Sequence, residues 1–344
     1  MDSAAVPEPA EVSGGVWSVA LPFPNPLGFA FSYVVPAAGG VLVVDAGWDS
    51  DECWDAFQAG LAAAGAGLDD VVGVVVTHVH PDHYGLAERI RASSPAWIAV
   101  HPAERPRIAE GEHDRVRAVE DMAGWLGQAG APPSEFAELE ADAADIRSRI
   151  SMVVPDHDLV DGQAVPGTED ALVAVHTPGH TPGHLCFHDR QRRLLFTGDH
   201  ILPRVTPNVS KRPQSDVDPL RDFLGSVRKV RDFGDVSVLP GHEWVFADLD
   251  ARLDDLLVNH DERLAEIEAA VCAGAGTVWE VTRAVTWARP FDGLRGRARR
   301  SAIGETFSHL YRLAVAGRVR WVPGRPDRWL PASGSAGEQR ADIA

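Results

Sequence analysis

The stretch of sequence that decides the fold runs from Val71 to His83 and reads VVGVVVTHVHPDH. Its first six residues are a short and almost continuous apolar run, which is typical of a strand buried on both faces. The run stops at Thr77, and polar residues follow. Because His78 and His80 lie two apart in an extended segment that ends at Pro81, their side chains point the same way. The pattern predicts a buried strand that ends in a cluster of histidines.

Three other short apolar runs also lead to groups that can bind a metal. They lead to His180, by way of a loop rich in proline and glycine, to Asp199 and to His242. Strands alternate with helical segments in this part of the chain, which favours a layered arrangement of sheets and helices. Since loops at strand ends can vary without disturbing the core, such ends commonly carry function. The sequence therefore predicts one site to which four strands contribute.

Histidine nitrogens and carboxylate oxygens are ligands of zinc, and a catalytic zinc site leaves one position open for water. Two ions about 3.5–4 Å apart can share a bridging hydroxide. Hydroxide is available at neutral pH because metal-bound water has a pKa near 7 instead of about 15.7. Asp82 and His83 follow the turn at Pro81 and can serve a second ion. The motifs indicate no serine, cysteine or lysine nucleophile. We therefore expect metal-assisted hydrolysis.

The run THVHPDH resembles the HxHxDH signature of the metallo-β-lactamase superfamily. Four further motifs match in order, and they are Val44–Gly47, Thr177–His180, Thr197–Asp199 and Pro240–His242. The resemblance covers about residues 15–245. It implies an α+β fold, the four-layer αββα sandwich, with two Zn²⁺ ions as cofactors, although other divalent metals fit the same ligand types.

The resemblance also implies the role of each site residue. The first zinc would be held by His78, His80 and His180, the second by Asp82, His83 and His242, and Asp199 would bridge both. Asp82 or Asp199 would also accept a proton in catalysis. Asp45 would orient a histidine ligand, and we expect His184 to support the ligands as a hydrogen-bonded structural residue. Candidate substrate contacts are His200, which directly follows Asp199, Arg204 and Asn208 in the loop after it, and Trp244, two residues after His242.

Composition limits the alternatives. The 344 residues carry a net charge of −18, and three scattered cysteines form no disulfide framework. We expect a cytoplasmic protein without a signal peptide or membrane span. The predicted divisions are a flexible N-terminus (1–12), a catalytic domain (13–248) with a helical insertion at about 104–150, a helical and winged-helix domain (249–332) and a loose tail (333–344).

The segment from Arg283 to Arg320 is the one strongly basic part of this acidic chain. It holds nine arginines and two acidic residues, a net charge of +7. A winged helix with such a surface could bind nucleic acid. The interpretation that we favour is that the arginines complement the acidic catalytic domain, within one subunit or across a homodimer.

The predicted reaction is zinc-dependent hydrolysis of a small acyl substrate, namely a carboxylic ester, thioester or lactone. The alternative is an endoribonuclease or phosphodiesterase of the LACTB2-like branch, in which a winged helix follows the catalytic domain. The net negative charge of the chain argues against binding along a phosphate backbone. A second alternative is a metal-dependent winged-helix regulator that binds nucleic acid. The regulator accounts for the arginines but not for an open two-metal site.

Overall fold

The computed structural model describes residues 6–109, 114–141, 153–211 and 217–332. The chain divides into two compact units. The first comprises Met1–Glu120, Ala141–Val209 and Pro219–Val258, and the second comprises Asp121–Glu140, Ser210–Asp218 and Asn259–Ala344.

The first unit contains a seven-stranded sheet whose strands follow the chain order. Its strands are β1 (Ala10–Ser13), β2 (Val16–Pro22), β3 (Phe29–Ala37), β4 (Gly40–Val44), β5 (Val71–Val75), β6 (Trp97–Val100) and β7 (His157–Asp158). The first four strands are antiparallel, and β4 to β7 are parallel. The parallel strands are valine-rich and buried, as expected of strands covered on both faces.

A four-stranded sheet of the same unit has the order β11-β10-β9-β8. Its strands are β8 (Leu172–His176), β9 (Leu185–Asp189), β10 (Leu194–Gly198) and β11 (Ser237–Pro240). Strands β8 to β10 are antiparallel, and β10 and β11 are parallel. One apolar core joins the two sheets, with Leu42 and Val75 from the larger sheet and Phe187 and Leu239 from the smaller one.

Helices connect the strands, and two of them pack on the larger sheet. In the first unit they are α1 (Asp51–Ala63), α2 (Pro81–Tyr84), α3 (Ala87–Ser93), α4 (Arg105–Ala109) and α6 (Pro219–Val230), and α5 (Asp114–Ala129) and α7 (Leu249–Cys272) continue into the second unit. Phe57 and Ile90 pack on the other face of the large sheet. Ser50 starts α1, because its hydroxyl accepts a hydrogen bond from the amide of Cys53. The α+β sandwich predicted from the sequence is confirmed.

The second unit contains α8 (Val278–Ala284), α9 (Gly296–Val315) and a hairpin of β12 (Val319–Val322) and β13 (Arg328–Pro331). Thr277 and Glu280 form a capping box at the start of α8. Trp321 and Trp329 stack face to face with ring centres 5.6 Å apart. These are the helices and the hairpin that the sequence predicts, while their assignment to a winged-helix domain remains a prediction.

Two parts of the chain bear on the predicted domain divisions, which remain a prediction. Ala10–Ser13 pairs with β2 as a strand, although the sequence predicts a flexible segment over 1–12. Residues 121–140, which fall within the predicted helical insertion, belong to the second compact unit. The physical reason is local pairing: Glu135 forms an ion pair with Arg299, and the carbonyl of Gln128 accepts a hydrogen bond from the amide of Asp327. Residues 142–150 of the expected insertion lie outside the described residues.

In the described ranges, no helix combines the length and the apolar character that crossing a bilayer requires.

Candidate metal centre

Three histidines at the ends of β5 and β8 converge on one point. Nε2 of His78 lies 2.8 Å from Nδ1 of His80, and that atom lies 3.1 Å from Nε2 of His180. Together with a carboxylate oxygen of Asp199, one atom from each of these residues lies within 4.8 Å of the others. His78 is fully buried, and the other three are partly exposed. This arrangement can hold one metal ion with an open side.

A second group forms beside the first. Pro81 starts the short helix α2, so Asp82 and His83 lie in its first turn and face His242, which follows β11. Nε2 of His242 is 3.4 Å from Oδ2 of Asp82, and ligand atoms of all three residues lie within 4.8 Å. Gly241 is required here, because a Cβ atom at this position would lie 2.7 Å from Cε1 of His83 and 2.8 Å from Oδ1 of Asp199.

Asp199 faces both groups. Its Oδ1 lies 3.3 Å from Nε2 of His242 and 3.4 Å from Nε2 of His83, while its Oδ2 lies 3.6 Å from Nε2 of His180. Within the part of the chain that the structure describes, Oδ1 of Asp199 and Nε2 of His83 are buried without a hydrogen-bond partner. Buried polar atoms are normally satisfied. Two unsatisfied ligand atoms that face each other therefore fit a metal ion between them.

Hydrogen bonds from the rear fix the rings of three histidines. Nδ1 of His180 donates to the carbonyl of Asn208 at 2.8 Å, and Nδ1 of His242 donates to the carbonyl of Phe29 at 2.9 Å. Nδ1 of His78 lies 3.1 Å from the hydroxyl oxygen of Thr77. A proton held at Nδ1 leaves the Nε2 lone pair free for a metal.

Asp45 performs the same task for His83. Its Oδ2 accepts from Nδ1 of His83 at 2.8 Å and from the hydroxyl of Thr77 at 2.8 Å, and its Oδ1 accepts from the amide of Thr77 at 2.7 Å. Asp45 lies directly after β4 with φ at 63°. The residue predicted to orient a histidine is thus placed behind a histidine of the second group.

The charges of the two groups differ. Burial lowers the pKa of His78 and of His180 below the ordinary value, so both rings are neutral near pH 7. Burial acts on His83 in the same direction, but the carboxylates of Asp199 and Asp45 outweigh it and raise the pKa of His83 well above the ordinary value. The carboxylate of Asp199 is buried, yet His242 and His83 hold its pKa well below the usual range. The second group is therefore an ion-paired cluster.

Glu104 is a site residue that the sequence analysis missed. It is fully buried, and its carboxylate accepts hydrogen bonds from the amide of Val79 at 3.1 Å and the amide of Gly183 at 2.8 Å. It lies 21 residues after His83, at the expected start of the helical insertion. No motif marks it, because its partners are backbone amides.

His184 is also buried beside the first group. Its Nδ1 lies 2.9 Å from the hydroxyl oxygen of Thr177, and its ring centre lies 5.2 Å from that of His78. This is the hydrogen-bonded position expected for a supporting residue.

The four candidate substrate residues are placed differently from one another. Trp244 is 48% exposed, and the guanidinium of Arg204, itself exposed, lies 5.7 Å from the centre of its ring. Arg204 also forms an ion pair with Glu243 at 3.0 Å. His200 is fully buried, with its ring centre 5.1 Å from that of Phe223. Asn208 meets the site through its backbone carbonyl.

A two-sheet α+β sandwich whose strand ends bring two groups of histidine and aspartate together defines a class of metal-binding hydrolase folds. The chain belongs to the metallo-beta-lactamase superfamily, whose family model matches residues 25–244.

Its relatives include named enzymes. The chain is 29% identical over 173 residues to the acyl-coenzyme A thioesterase MBLAC2 of Homo sapiens, a match that covers 49% of this chain and 54% of that protein. It thus spans about half the length of this curated relative. It is 27% identical over 234 residues to the probable metallo-hydrolase YqjP of Bacillus subtilis (strain 168), covering 66% of this chain and 71% of that one.

A solved structure matches nearly the whole chain. The metallo-beta-lactamase family protein TTHA1429 of Thermus thermophilus is 28% identical, with a TM-score of 0.77, and the match covers 92% of this chain and 98% of that one. The similarity therefore extends beyond the residues that the family model matches.

Proposed function

We propose that this protein is a dinuclear zinc hydrolase that cleaves acyl thioesters. The observation that carries the proposal is the position of Asp199 between two groups of ligand atoms, where its buried Oδ1 and Nε2 of His83 face each other without a hydrogen-bond partner among the described residues. Among the three predicted acyl substrates, the thioester is favoured because the relative MBLAC2 is named as an acyl-coenzyme A thioesterase. Carboxylic esters and lactones remain substrates to compare.

The predicted ligand sets agree with the two groups of side chains. His78, His80 and His180 would hold one ion, Asp82, His83 and His242 would hold the other, and Asp199 would contact both. When bound, two zinc ions would supply hydroxide near neutral pH and polarise the carbonyl oxygen of the substrate.

The protein contributes fixed geometry and a proton acceptor. Asp45 and the carbonyls of Phe29 and Asn208 hold three ligand rings with Nε2 directed inward. Because the pKa values of Asp82 and Asp199 are both lowered, these side chains are carboxylates at neutral pH and can accept a proton from attacking water.

Arg204 and Trp244 supply the proposed contact for the carrier half of the thioester. An exposed guanidinium beside an exposed indole offers N–H donors and an apolar face, and the ion pair with Glu243 holds the guanidinium in place. His184 would support His78, and we assign His200 to packing.

The test is a comparison of substrates with the zinc-loaded protein. Release of free thiol from acetyl-CoA and a longer acyl-CoA is followed beside hydrolysis of p-nitrophenyl acetate and cleavage of a labelled single-stranded RNA. We expect thiol release that falls by a factor on the order of 10² or more in Asp199→Asn. Asp189→Asn, which changes a buried carboxylate of the β9–β10 turn, serves as the control and should retain activity. RNA cleavage without thiol release would refute the proposal.

The basic segment does not favour the nucleic-acid alternatives. Four of its arginines form ion pairs inside the second unit, and these pairs are Arg283–Asp292, Arg299–Glu135, Arg312–Asp218 and Arg318–Glu268. This pairing lowers the charge available to phosphate. It also assigns these arginines to partners in their own unit, whereas the sequence interpretation gave them to the acidic catalytic domain.

A further inference from the structure

Glu104 is a buried residue whose carboxylate lies between the two segments that contain His80 and His180. It ends the short turn Pro102–Glu104 that follows β6, and its side chain is completely buried. Its Oε2 accepts from the amide of Val79, and its Oε1 accepts from the amide of Gly183. One carboxylate thus binds two segments that are more than 100 residues apart in the sequence.

Both segments carry ligands of the first metal group. Val79 lies between His78 and His80, and Gly183 lies three residues after His180. These ring nitrogens already lie 2.8–3.1 Å apart, so a small shift of either segment changes the shape of the group. The ligands His83 and His242 of the second group have their own rear contacts, through Asp45 and Phe29, and neither contact involves Glu104.

The fit around Glu104 is close. A Cβ atom on Gly183 would lie 2.7 Å from Cγ and 2.9 Å from the backbone nitrogen of Glu104. Only glycine therefore brings its amide to the carboxylate without displacing either segment. A buried carboxylate is costly unless strong donors satisfy it, and charge-assisted hydrogen bonds from fixed amides do so with little freedom of position.

We propose that Glu104 is a positioning residue that sets the separation of His80 and His180, and that it thereby determines the metal affinity of the first group alone. The inference rests on the proposed metal centre but not on the identity of the substrate. Replacing a residue that hydrogen-bonds to a metal ligand and orients it typically lowers metal affinity by about 10–100-fold.

The test is Glu104→Gln, read by zinc titration against a competing chelator. Glutamine has the shape of glutamate, but its amide group would face one of two backbone N–H donors, so one of the two contacts is lost. We expect one of two zinc equivalents to bind about 10–100-fold more weakly and the other to keep its affinity within about twofold. Cobalt substitution gives an independent spectroscopic signature of the weakened site. Glu88→Gln, on the exposed face of α3, is the matched control.

A second variant reaches the same contact from the other side. Gly183→Ala retains the carboxylate but displaces it from the amide, so it should weaken the same zinc equivalent. The double variant should be little worse than either single one. If Glu104→Gln does not fold, as judged by thermal unfolding of the metal-free protein, Gly183→Ala alone decides the question.

Three results would overturn the inference. Folded variants could bind both zinc equivalents with wild-type affinity, or lose both equivalents by the same factor, which indicates a general structural role. A wild-type protein that binds no metal would overturn the inference together with the proposed metal centre. If the wild-type protein shows no thioesterase activity but Glu104→Gln still weakens one zinc equivalent selectively, only the proposed substrate is refuted.

Discussion

Replacing Asp45 with asparagine tests whether the proton position on His83 controls the second metal group. The carboxylate accepts three hydrogen bonds of 2.7–2.8 Å, two from Thr77 and one from Nδ1 of His83. Asparagine is nearly isosteric, and it tolerates the left-handed backbone of this position, where φ is 63°. The substitution therefore changes charge and acceptor capacity with little change in backbone strain.

The expected magnitude follows from the geometry. If the remaining oxygen keeps the amide of Thr77, the new amide group lies where Oδ2 was and donates to Nδ1 of His83. In the wild type, Asp45 holds a proton at Nδ1 when a metal displaces the proton at Nε2. Once the asparagine amide donates to Nδ1, the remaining ring proton lies at Nε2, the atom that faces Asp199 and would bind the metal. Metal binding must displace that proton, and the charge-assisted hydrogen bond is lost. We expect about a 10–100-fold loss of affinity, or roughly 1.4–2.7 kcal/mol.

The assay is the chelator-competition titration of zinc at pH 7, with Asp189→Asn as control. Asp189 is also fully buried, and it accepts from the amides of Gln191 and Arg192 and pairs with the guanidinium of Arg192. That variant should lose stability but keep both zinc equivalents. Equal zinc affinities in wild type and Asp45→Asn, or an equal loss in both variants, would refute the reasoning about the ring proton.

Three further predictions concern the substrate, the core and pH. Trp244→Ala should raise KM for an acyl-CoA several-fold with kcat within about twofold, because the exposed indole contacts the carrier half in our proposal; an unchanged KM contradicts it. Tyr33→Phe should lower the free energy of unfolding by about 1–3 kcal/mol in a urea titration, because its hydroxyl donates to the buried carbonyl of Pro240 at 2.7 Å, and no loss would be inconsistent with that bond. Burial lowers the pKa of His309 to about 3 and that of His260 to about 4, so only the unfolded chain takes up protons as the pH falls below about 6.5, and stability is lost on acidification. Between pH 7 and pH 5 each ring should cost about 2 kcal/mol, and His309→Gln should remove about that much of the pH dependence of urea unfolding.

The sequence predicts which side chains form the centre, because each of them follows the end of a strand. His78, Asp199 and His242 are separated by more than 40 residues from one another, yet each follows a buried strand and the sheets bring those ends together. Apolar runs that stop at polar residues are visible in a single sequence. The fold class and the meeting of these side chains could therefore both be predicted.

Contacts with the backbone could not be predicted in this way. Asn208 is a candidate substrate contact by its side-chain type, whereas the contact that the structure shows is between its backbone carbonyl and His180. Glu104 accepts only from backbone amides. Every residue except proline has both an amide N–H and a carbonyl, so the sequence contains no signal for which of them a side chain meets. Similarly, the charged helical pattern of residues 121–140 does not identify Arg299 as the partner of Glu135.

The loop after Asp199 links the metal centre with the proposed substrate contact. Glu243 accepts hydrogen bonds from the amides of Arg204 and Val205, each at 3.0 Å. The guanidinium of Arg252 donates to carbonyls on the same loop, including those of residues 204 and 205 at 3.1 and 2.9 Å. The loop is thus held from both sides and presents Arg204 from a fixed backbone.

This loop begins at a residue that faces both metal groups and reaches Asn208, whose carbonyl fixes a ligand of the first group. A change of loop length between these ends would displace Asp199 or His180 along with the substrate contact. A change of side chain on the same backbone would not, because the anchoring bonds use backbone atoms of the loop. Substrate preference can therefore vary at Arg204 at little cost to the metal centre, whereas insertions between residues 199 and 208 should impair metal binding and catalysis together.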